Sequence, residues 1–406
     1  MQNLENRKQV KNRINKNIIL YLITVFLINI GFGIIGADFN LYILSMDMSP
    51  DFLGIILSLT PFAQVLAAIP IGFMAEKIGN KRSLIIVNLV VGFSYFVRVF
   101  SPNQTLIMLG SFLVGTVQAG YFIIQMPFIS HYTGKLKDKE FTIASIIFYA
   151  AMALGNLVGG FLPSQLNTII VNETISYRIV LVGASLLVIL GTIPLFFLAK
   201  DKPENTKEIS LSPYLQGIDQ NTIKFAIIEF FLGTGLGFLV LFMNVLFIYY
   251  YNSSLQAFGT MSAVLIIPTV ILLFFGPALA KKYNGLRIVV ISRFVSAVAA
   301  LLVIFTRNPI IGATAYLLFR SMLGIGQSLW MSFSSSVATR RSRTATSTWL
   351  EITFQVGFVV AALAGGKLVA LEAYPLMGII SSISMVIAFV LTLRFFGKKY
   401  LIQKSI

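Results

Sequence analysis

Six charged side chains lie inside long apolar stretches of the sequence, where burial of a charge is costly. They are Asp38, Glu229, Arg293, Arg320, Glu351 and Lys367. A charge at the centre of a membrane helix costs at least about 2.5–3.5 kcal/mol, so each should face a cavity, a partner or a membrane edge. We expect structural or interfacial roles for Arg293 and Lys367, because long basic side chains can reach the membrane surface.

Asp38 and Glu229 are the residues predicted to carry protons. Asp38 lies about two-thirds of the way along the first apolar stretch, and Glu229 about two turns into the seventh. A carboxyl group partly withdrawn from water can gain and lose a proton near neutral pH. The competing interpretation is that each carboxylate already reaches water, Asp38 at the outer boundary of the membrane and Glu229 at the inner one.

A second set of polar and aromatic residues is predicted to line a substrate cavity. Arg320 and Gln327 are seven residues apart and share a helix face, as do Gln118 and Gln125. A buried arginine needs a counter-charge or an anionic ligand, so Arg320 either binds substrate or pairs with an acid such as Glu351 or Asp38. For the amides, the alternative is bonding between helices. The predicted lining is Asn29, Gln118, Tyr121, Gln125, Asn244, Arg320, Gln327 and Trp330.

Several chemistries are excluded by residue types that the sequence lacks. It has no cysteine and one histidine, His131, so disulfides, thiol chemistry, a histidine-based triad and a metal centre are not expected. A glycine-rich phosphate-binding loop is also missing, which argues against transport driven by ATP. We therefore expect no enzymatic activity, no metal and no cofactor. Protons, carried by Asp38 and Glu229, are the expected coupling ion.

Composition places the chain in a membrane. Of its 406 residues, 57% are hydrophobic and 11% are charged, whereas soluble domains contain about 25% charged residues. About 20 apolar residues cross a bilayer once. Twelve apolar stretches of this kind predict an all-α membrane protein with twelve transmembrane helices in two six-helix bundles. The stretches are 18–44, 51–75, 82–100, 104–130, 141–166, 176–199, 222–250, 256–280, 286–306, 309–336, 346–370 and 374–396.

The two bundles are predicted to be copies of one another. A polar linker, 200–221, separates an N-terminal bundle, 1–199, from a C-terminal bundle, 222–406. Glycines recur between them at offsets of 204–206 residues, such as Gly54 with Gly259. Small residues four apart allow two helices to approach closely, and two such patterns are found in the fifth and eleventh stretches. They contain Gly155, Gly159 and Gly160, and Gly357, Gly365 and Gly366. Parallel repeats of six helices are typical of transporters with a substrate site between the halves.

The charge distribution predicts the orientation of the chain. The formal net charge is +16, with 31 lysines and arginines. All but six of these lie in the two termini and the even-numbered loops; the exceptions are Arg98, Arg178, Arg293, Arg307, Arg320 and Lys367. By the positive-inside rule, both termini are cytoplasmic. The basic residues thus report topology, and the expected partners are the lipid bilayer and a small-molecule substrate, with no nucleic acid. We expect a monomer.

The charged turn at 72–84 resembles a motif of the major facilitator superfamily. In that family the loop between the second and third spans reads Gly, three residues, Asp, a basic residue, any residue, Gly, then basic residues and an apolar one. Glu replaces the Asp here, and Asn80 stands where a basic residue is usual. The matching residues are Gly72, Glu76, Lys77, Gly79, Lys81, Arg82 and Leu84. The resemblance implies that this turn forms a cytoplasmic gate.

Two further segments bear on what the resemblance implies. The fifth span is similar to the family's antiporter motif, with Asn156 in place of its proline. The usual arginine of the fourth span is absent, and Ser111 lies near its position. The resemblance implies a proton-coupled exporter of a small organic molecule or drug, working by alternating access in a bacterial cell membrane. The alternatives are an uptake symporter, a lipid or glycolipid transporter of the same fold, and a transport-inactive receptor or scaffold.

Overall fold

The computed structural model describes residues 16–100, 102–133, 137–199, 218–339 and 342–401. Within these ranges, some helical residues are described by their backbone alone, and they include Gly72, Glu76, Tyr121, Gln125 and His131. The described residues are helical apart from short connections, which confirms the predicted all-α class.

Six helices make up the N-terminal half. They are α1 (Lys16–Ser45), α2 (Pro50–Ile78), α3 (Asn80–Phe100), α4 (Gln104–Thr133), α5 (Lys137–Ile170) and α6 (Glu173–Leu190). A short helix, Ile193–Phe196, follows α6. The start of α6 is set by Asn172, whose side chain accepts a hydrogen bond from the backbone N–H of Ile175. Such a cap satisfies an N–H group that has no partner within the helix.

Six more helical segments make up the C-terminal half. They are α7 (Gln220–Val240), α8 in two pieces (Leu255–Val264 and Ile266–Tyr283), α9 (Gly285–Phe305), α10 (Pro309–Val337), α11 (Arg343–Ala370) and α12 (Tyr374–Thr392). Asp219 caps α7 by accepting from the Thr222 N–H, and Asn308 caps α10. Beyond α7 the chain continues as Met243–Val245 and a π-helical turn, Leu246–Tyr250.

The lengths of these helices suit a bilayer. Among the described residues, eleven segments are long and apolar enough to cross a membrane. Helix α4 has 30 residues and is the twelfth, with Gln104–Gln118 as its described apolar part. The chain is therefore a multi-pass membrane protein.

The two halves repeat the same packing. In the N-terminal half α1 packs on α5 and α6, α2 on α4, and α3 on α4 and α6. In the C-terminal half α7 packs on α11 and α12, α8 on α10, and α9 on α10 and α12. Every pair in one half has its counterpart six helices later, which is the parallel repeat predicted from the glycine offsets.

We call the end of the bundle that holds Lys16 and Tyr400 the terminal end, and the opposite end the far end. Near the far end the halves meet through α2 with α11 and α5 with α8. A Cβ atom built on Gly54 would lie 2.9 Å from the Cα of Gly366, and one on Gly160 would lie 2.8 Å from the Cα of Gly259. Real Cβ atoms do not approach this closely, so both contacts require glycine.

The other glycines predicted to serve helix packing lie at contacts inside each half. Gly155 and Gly159 face the backbone of α1, and Gly357 faces that of α7. Gly365 lies against the ring of Phe242. An added side chain at any of these positions would displace a neighbouring helix.

Candidate functional site

Glu229 lies in the interior of the C-terminal half, on α7. Its side chain is fully buried, and it accepts a hydrogen bond from the side-chain amide of Gln327 on α10, with 3.1 Å between Nε2 and Oε1. The carboxylate also interacts electrostatically with Arg293 on α9 and with Glu351 on α11. Sequence analysis selected Glu229 and Gln327 for different roles, and the structure brings them into direct contact.

Arg293 is the cation of this cluster. It is 2% exposed, and its guanidinium carbon lies 4.1 Å from the centre of the Trp330 ring. It donates a hydrogen bond to the hydroxyl of Thr392, while its Nη2 atom has no partner. Of the two roles expected for Arg293, structural or interfacial, the interfacial one is wrong, because the side chain points into the bundle. A buried carboxylate and a buried arginine lower each other's cost of burial.

Trp330 belongs to an aromatic cluster rather than to the wall of an open cavity. Its ring is fully buried and packs edge-on against Phe225, with 4.9 Å between ring centres. Phe333 and Phe396 complete the cluster. These rings cover one side of the site with apolar surface, which strengthens the electrostatic interactions inside it.

Arg320 lies on the same face of α10 as Gln327, two turns closer to the start of the helix. It is partly exposed, and its Nε atom is buried without a hydrogen-bond partner. The structure does not pair it with either predicted acid. Glu351 is exposed and accepts a hydrogen bond from Gln355, 2.8 Å away, and Asp38 lies in the other half. Towards the terminal end, α10 exposes a polar face formed by Ser328, Ser332, Ser335 and Ser336.

The N-terminal half contributes a pair of amides. Gln118 on α4 accepts a hydrogen bond from Gln64 on α2, with 3.0 Å between Nε2 and Oε1, and both side chains are partly exposed. Sequence analysis missed Gln64, although it is the single amide in the stretch 51–75. The side chains of Tyr121 and Gln125 lie outside the described residues.

Two other predicted residues are buried within the N-terminal half. Asp38 is fully buried, and neither of its carboxyl oxygens has a hydrogen-bond partner. Asn29 is also fully buried and donates to the carbonyl of Val25 on its own helix, 2.6 Å away. In this form, therefore, neither side chain lines a hollow that water can reach. Asn244, predicted for the same cavity, bonds instead to α1 across the seam between the halves.

The predicted gate lies at the turn between α2 and α3. Gly79 has a φ of 89°, a conformation that glycine adopts without strain, and this explains the need for glycine there. Lys81 donates hydrogen bonds to the carbonyls of Phe196, 2.9 Å away, and Leu198. Lys77 and Arg82 are exposed. The side chain of Glu76 lies outside the described residues, so the ion pair predicted for Glu76 stays a prediction.

A groove of about 440 Å³ lies between the start of α7 and α11, and Glu229 is not among the residues that line it. Its walls are apolar, and it is lined by Ile218, Thr222, Ile223, Ala226, Ile227, Phe230, Trp349 and Thr353. Because it holds no charged group, we place the chemistry of the protein at the Glu229 cluster instead.

Two six-helix repeats with ionisable groups buried in their interior define a secondary transporter of the parallel-repeat class. The sequence model of the Major Facilitator Superfamily matches residues 18–236. This is more than half of the chain, and the protein belongs to that superfamily. The resemblance found in the sequence is thus confirmed.

Comparison with curated proteins gives a relative that matches about a third of the chain. The chain is 26% identical over 153 residues to the quinolone resistance protein NorA of Staphylococcus aureus. The match covers 36% of this chain and 38% of the length of NorA.

Solved structures show the same fold over nearly the whole chain. The nucleoside transporter NupG has a TM-score of 0.74 at 15% identity, covering 95% of this chain and 100% of that one. A bacterial homologue of the human lysosomal transporter Spinster, in an inward-facing and occupied conformation, has a TM-score of 0.75 at 16% identity, covering 94% and 97%. The Escherichia coli fucose:proton symporter FucP has a TM-score of 0.62 at 14% identity, covering 93% and 98%.

Proposed function

We propose that this protein exports a small organic molecule, such as a drug, in exchange for protons. The observation that carries the proposal is the buried Glu229, held by Gln327 and balanced by Arg293. An ionisable group at such a depth is a functional candidate in a membrane protein. The partial similarity to NorA, whose name states quinolone resistance, supports a drug as the exported molecule.

Protonation of Glu229 is the step that couples the ion to the conformational change. The ionised carboxylate accepts a hydrogen bond from the Gln327 amide, which ties α7 to α10, and it attracts Arg293 on α9. A proton removes the charge, weakens both interactions and lets α7 move relative to α10. Asp38 is the second candidate carrier, because α1 occupies in the N-terminal half the place of α7.

The substrate is proposed to bind between the halves. Arg320 on α10 and the hydrogen-bonded Gln64–Gln118 pair on α2 and α4 are polar groups that keep part of their surface exposed. The unpartnered Nε of Arg320 supports a substrate that carries an anionic or carbonyl group.

The orientation and the gate complete the mechanism. The basic termini and loops support cytoplasmic termini, so the terminal end faces the cytoplasm and the far end faces outward. During transport the halves rock about the central site, and the turn from Gly72 to Arg82 closes the cytoplasmic side. Glu76 is proposed to pair with basic residues or with a helix N-terminus when that side is shut.

Transport by purified protein in lipid vesicles tests this function. A fluorescent quinolone is the probe, and a pH gradient is imposed across the membrane. We expect quinolone and protons to move in opposite directions, with flux lost in Glu229→Gln and reduced in Asp38→Asn. Glu173→Gln is the matched control, because Glu173 is an exposed acid at the start of α6.

Three outcomes would contradict the proposal in different ways. Quinolone flux that ignores the pH gradient would refute proton coupling. Movement of quinolone together with protons would identify the alternative, an uptake symporter. Absence of flux for a broad panel of small molecules and lipids would favour the receptor or scaffold.

A further inference from the structure

Two asparagines join the halves of the molecule near the far end. Asn40 on α1 and Asn244 just beyond α7 are 204 residues apart, which makes them equivalent positions of the repeat. The Asn40 side-chain amide donates a hydrogen bond to the Asn244 side-chain oxygen, 2.9 Å away. Their side chains are 7% and 3% exposed, so water does not compete strongly for these bonds.

Each asparagine also bonds to the backbone of the opposite half. Asn40 donates to the carbonyl of Leu241, 2.7 Å away, and Asn244 donates to the carbonyl of Ala37, 3.0 Å away. Ala37 and Leu241 each precede their own asparagine by three residues, and they too are equivalent in the repeat. The three hydrogen bonds therefore follow the pseudo-two-fold symmetry of the bundle. We call this set of four residues the asparagine clasp.

The clasp coincides with a break in α7. In a continuous α-helix the Val245 N–H would donate to the Leu241 carbonyl. Here the Val245 N–H donates to the side chain of Asn244, 2.9 Å away, and the regular helix ends at Val240. The Leu241 carbonyl is thereby left available for Asn40 on the other half. On α1, by contrast, Asn40 sits in an unbroken helix.

Side-chain-free contacts lie on both sides of the clasp. Gly54 meets Gly366 and Gly160 meets Gly259, with no side chain between the helices. Such contacts gain dispersion energy but have no directional bond that specifies the closed arrangement. Near these glycine contacts, the clasp supplies directional hydrogen bonds.

We propose that the asparagine clasp is the latch that holds the far end closed, and that its release allows the helix to re-form through Leu241–Val245. On opening, the Val245 N–H stops donating to the Asn244 side chain and donates to the Leu241 carbonyl instead. A buried polar group is thus satisfied in both states, so the latch opens without stranding a backbone donor. The proposed latch assumes that the protein works by alternating access, but it does not depend on which substrate or coupling ion is transported.

Thiol labelling of single-cysteine variants tests the latch, because the chain has no native cysteine. The reporters are Ser58→Cys and Ser262→Cys. Both serines are buried, Ser58 lies one turn from Gly54, and Ser262 lies one turn from Gly259. Purified protein in lipid nanodiscs is treated with a water-soluble maleimide, and the labelling rate measures how often the far end opens.

We expect Asn40→Ala and Asn244→Ala each to raise both labelling rates about tenfold, since each removes two or three buried hydrogen bonds. The double variant should label faster than either single one but by less than the product of the two single effects, because one of the bonds is shared by both residues. Asn88→Ala is the matched control. Asn88 is an equally buried asparagine on α3, inside one half, and its replacement should leave the rates unchanged.

Conservative variants keep the test decisive if the alanine variants fail to fold. Asn40→Asp and Asn244→Asp retain the size of the side chain but lose the donor amide, and folding is checked by size-exclusion chromatography. Labelling rates that stay at the background value in these folded variants would overturn the latch. So would single effects that multiply fully in the double variant, because the two residues would then act independently. The labelling requires no substrate and no pH gradient, so its failure is distinct from a failure of the proposed transport function.

Discussion

The side-chain amide of Gln327 donates to the carboxylate of Glu229, and this hydrogen bond ties α10 to α7 in the interior of the C-terminal half. In the same cluster, Arg293 lies over the ring of Trp330 and donates to Thr392. Helices α7, α9, α10 and α12 are thus connected through one buried acid and one buried base. A change in the charge of the acid alters contacts on several helices at once, which is what a coupling residue requires.

Replacement of Glu229 by glutamine should uncouple transport from the proton gradient. Glutamine preserves the size of the side chain and a hydrogen bond to Gln327, but it cannot carry a proton. We expect gradient-driven quinolone flux to fall at least tenfold, while quinolone binding to the detergent-solubilised protein changes less than about threefold. Flux that retains the pH dependence of the unmodified protein would show that Glu229 is not the coupling residue.

Removal of Arg293 should destabilise the protein, because Glu229 would remain buried without its compensating cation. For Arg293→Met we expect the free energy of unfolding to fall by about 1–3 kcal/mol, because a buried carboxylate loses the charge that compensates it. Addition of Glu229→Gln should recover most of this loss. Thermal unfolding in detergent measures both variants, and an equal or larger loss in the double variant would show that the two residues do not interact.

Introduction of a methyl group at Gly54 should separate the halves at the far end. In Gly54→Ala the new Cβ would lie 2.9 Å from the Cα of Gly366, so α2 and α11 must move apart. Spin labels on Asp51→Cys and Leu371→Cys report the change, and we expect the population with the longer distance to increase. Gly183→Ala is the control, because an added Cβ there meets nothing within 4 Å. Matching distance distributions in the two variants would contradict the close contact.

Replacement of Arg320 by glutamine should discriminate between substrates. Quinolones carry a carboxylate that can pair with the guanidinium, whereas the cationic dye ethidium has no such group. We expect quinolone binding to weaken at least tenfold, and ethidium binding to change less than about twofold. Equal losses for both ligands, measured by fluorescence titration, would assign Arg320 to structure rather than to substrate recognition.

The transmembrane architecture was predictable because hydrophobic length and the glycine offsets encode it. The first apolar stretch, 18–44, corresponds to α1 at Lys16–Ser45. The seventh stretch, 222–250, was expected to be one helix, yet α7 ends at Val240. An apolar run does not reveal this break, because it arises where the Asn244 side chain replaces a backbone carbonyl as the partner of Val245.

The site was predictable only in part. Glu229 and Arg320 were selected because charged residues are few in apolar helices. Gln327 was selected because it lies seven residues from Arg320, on the same helix face. The contacts of Arg293 depend on how α9 rotates about its axis, which the sequence alone does not specify. Asn244 was expected in the cavity. Its equivalence to Asn40 at the repeat offset was the available signal that both residues belong to the seam.

The glycine contacts at the far end also bear on the origin of the chain. Gly54 and Gly259 are equivalent positions of the repeat, as are Gly160 and Gly366. Each contact, Gly54 with Gly366 and Gly160 with Gly259, therefore joins one glycine from the first equivalent pair to one from the second. Reciprocity of this kind is the signature of an isologous interface in a symmetric dimer. The seam therefore has the geometry expected if two identical six-helix subunits, associated about a two-fold axis, were joined into one polypeptide.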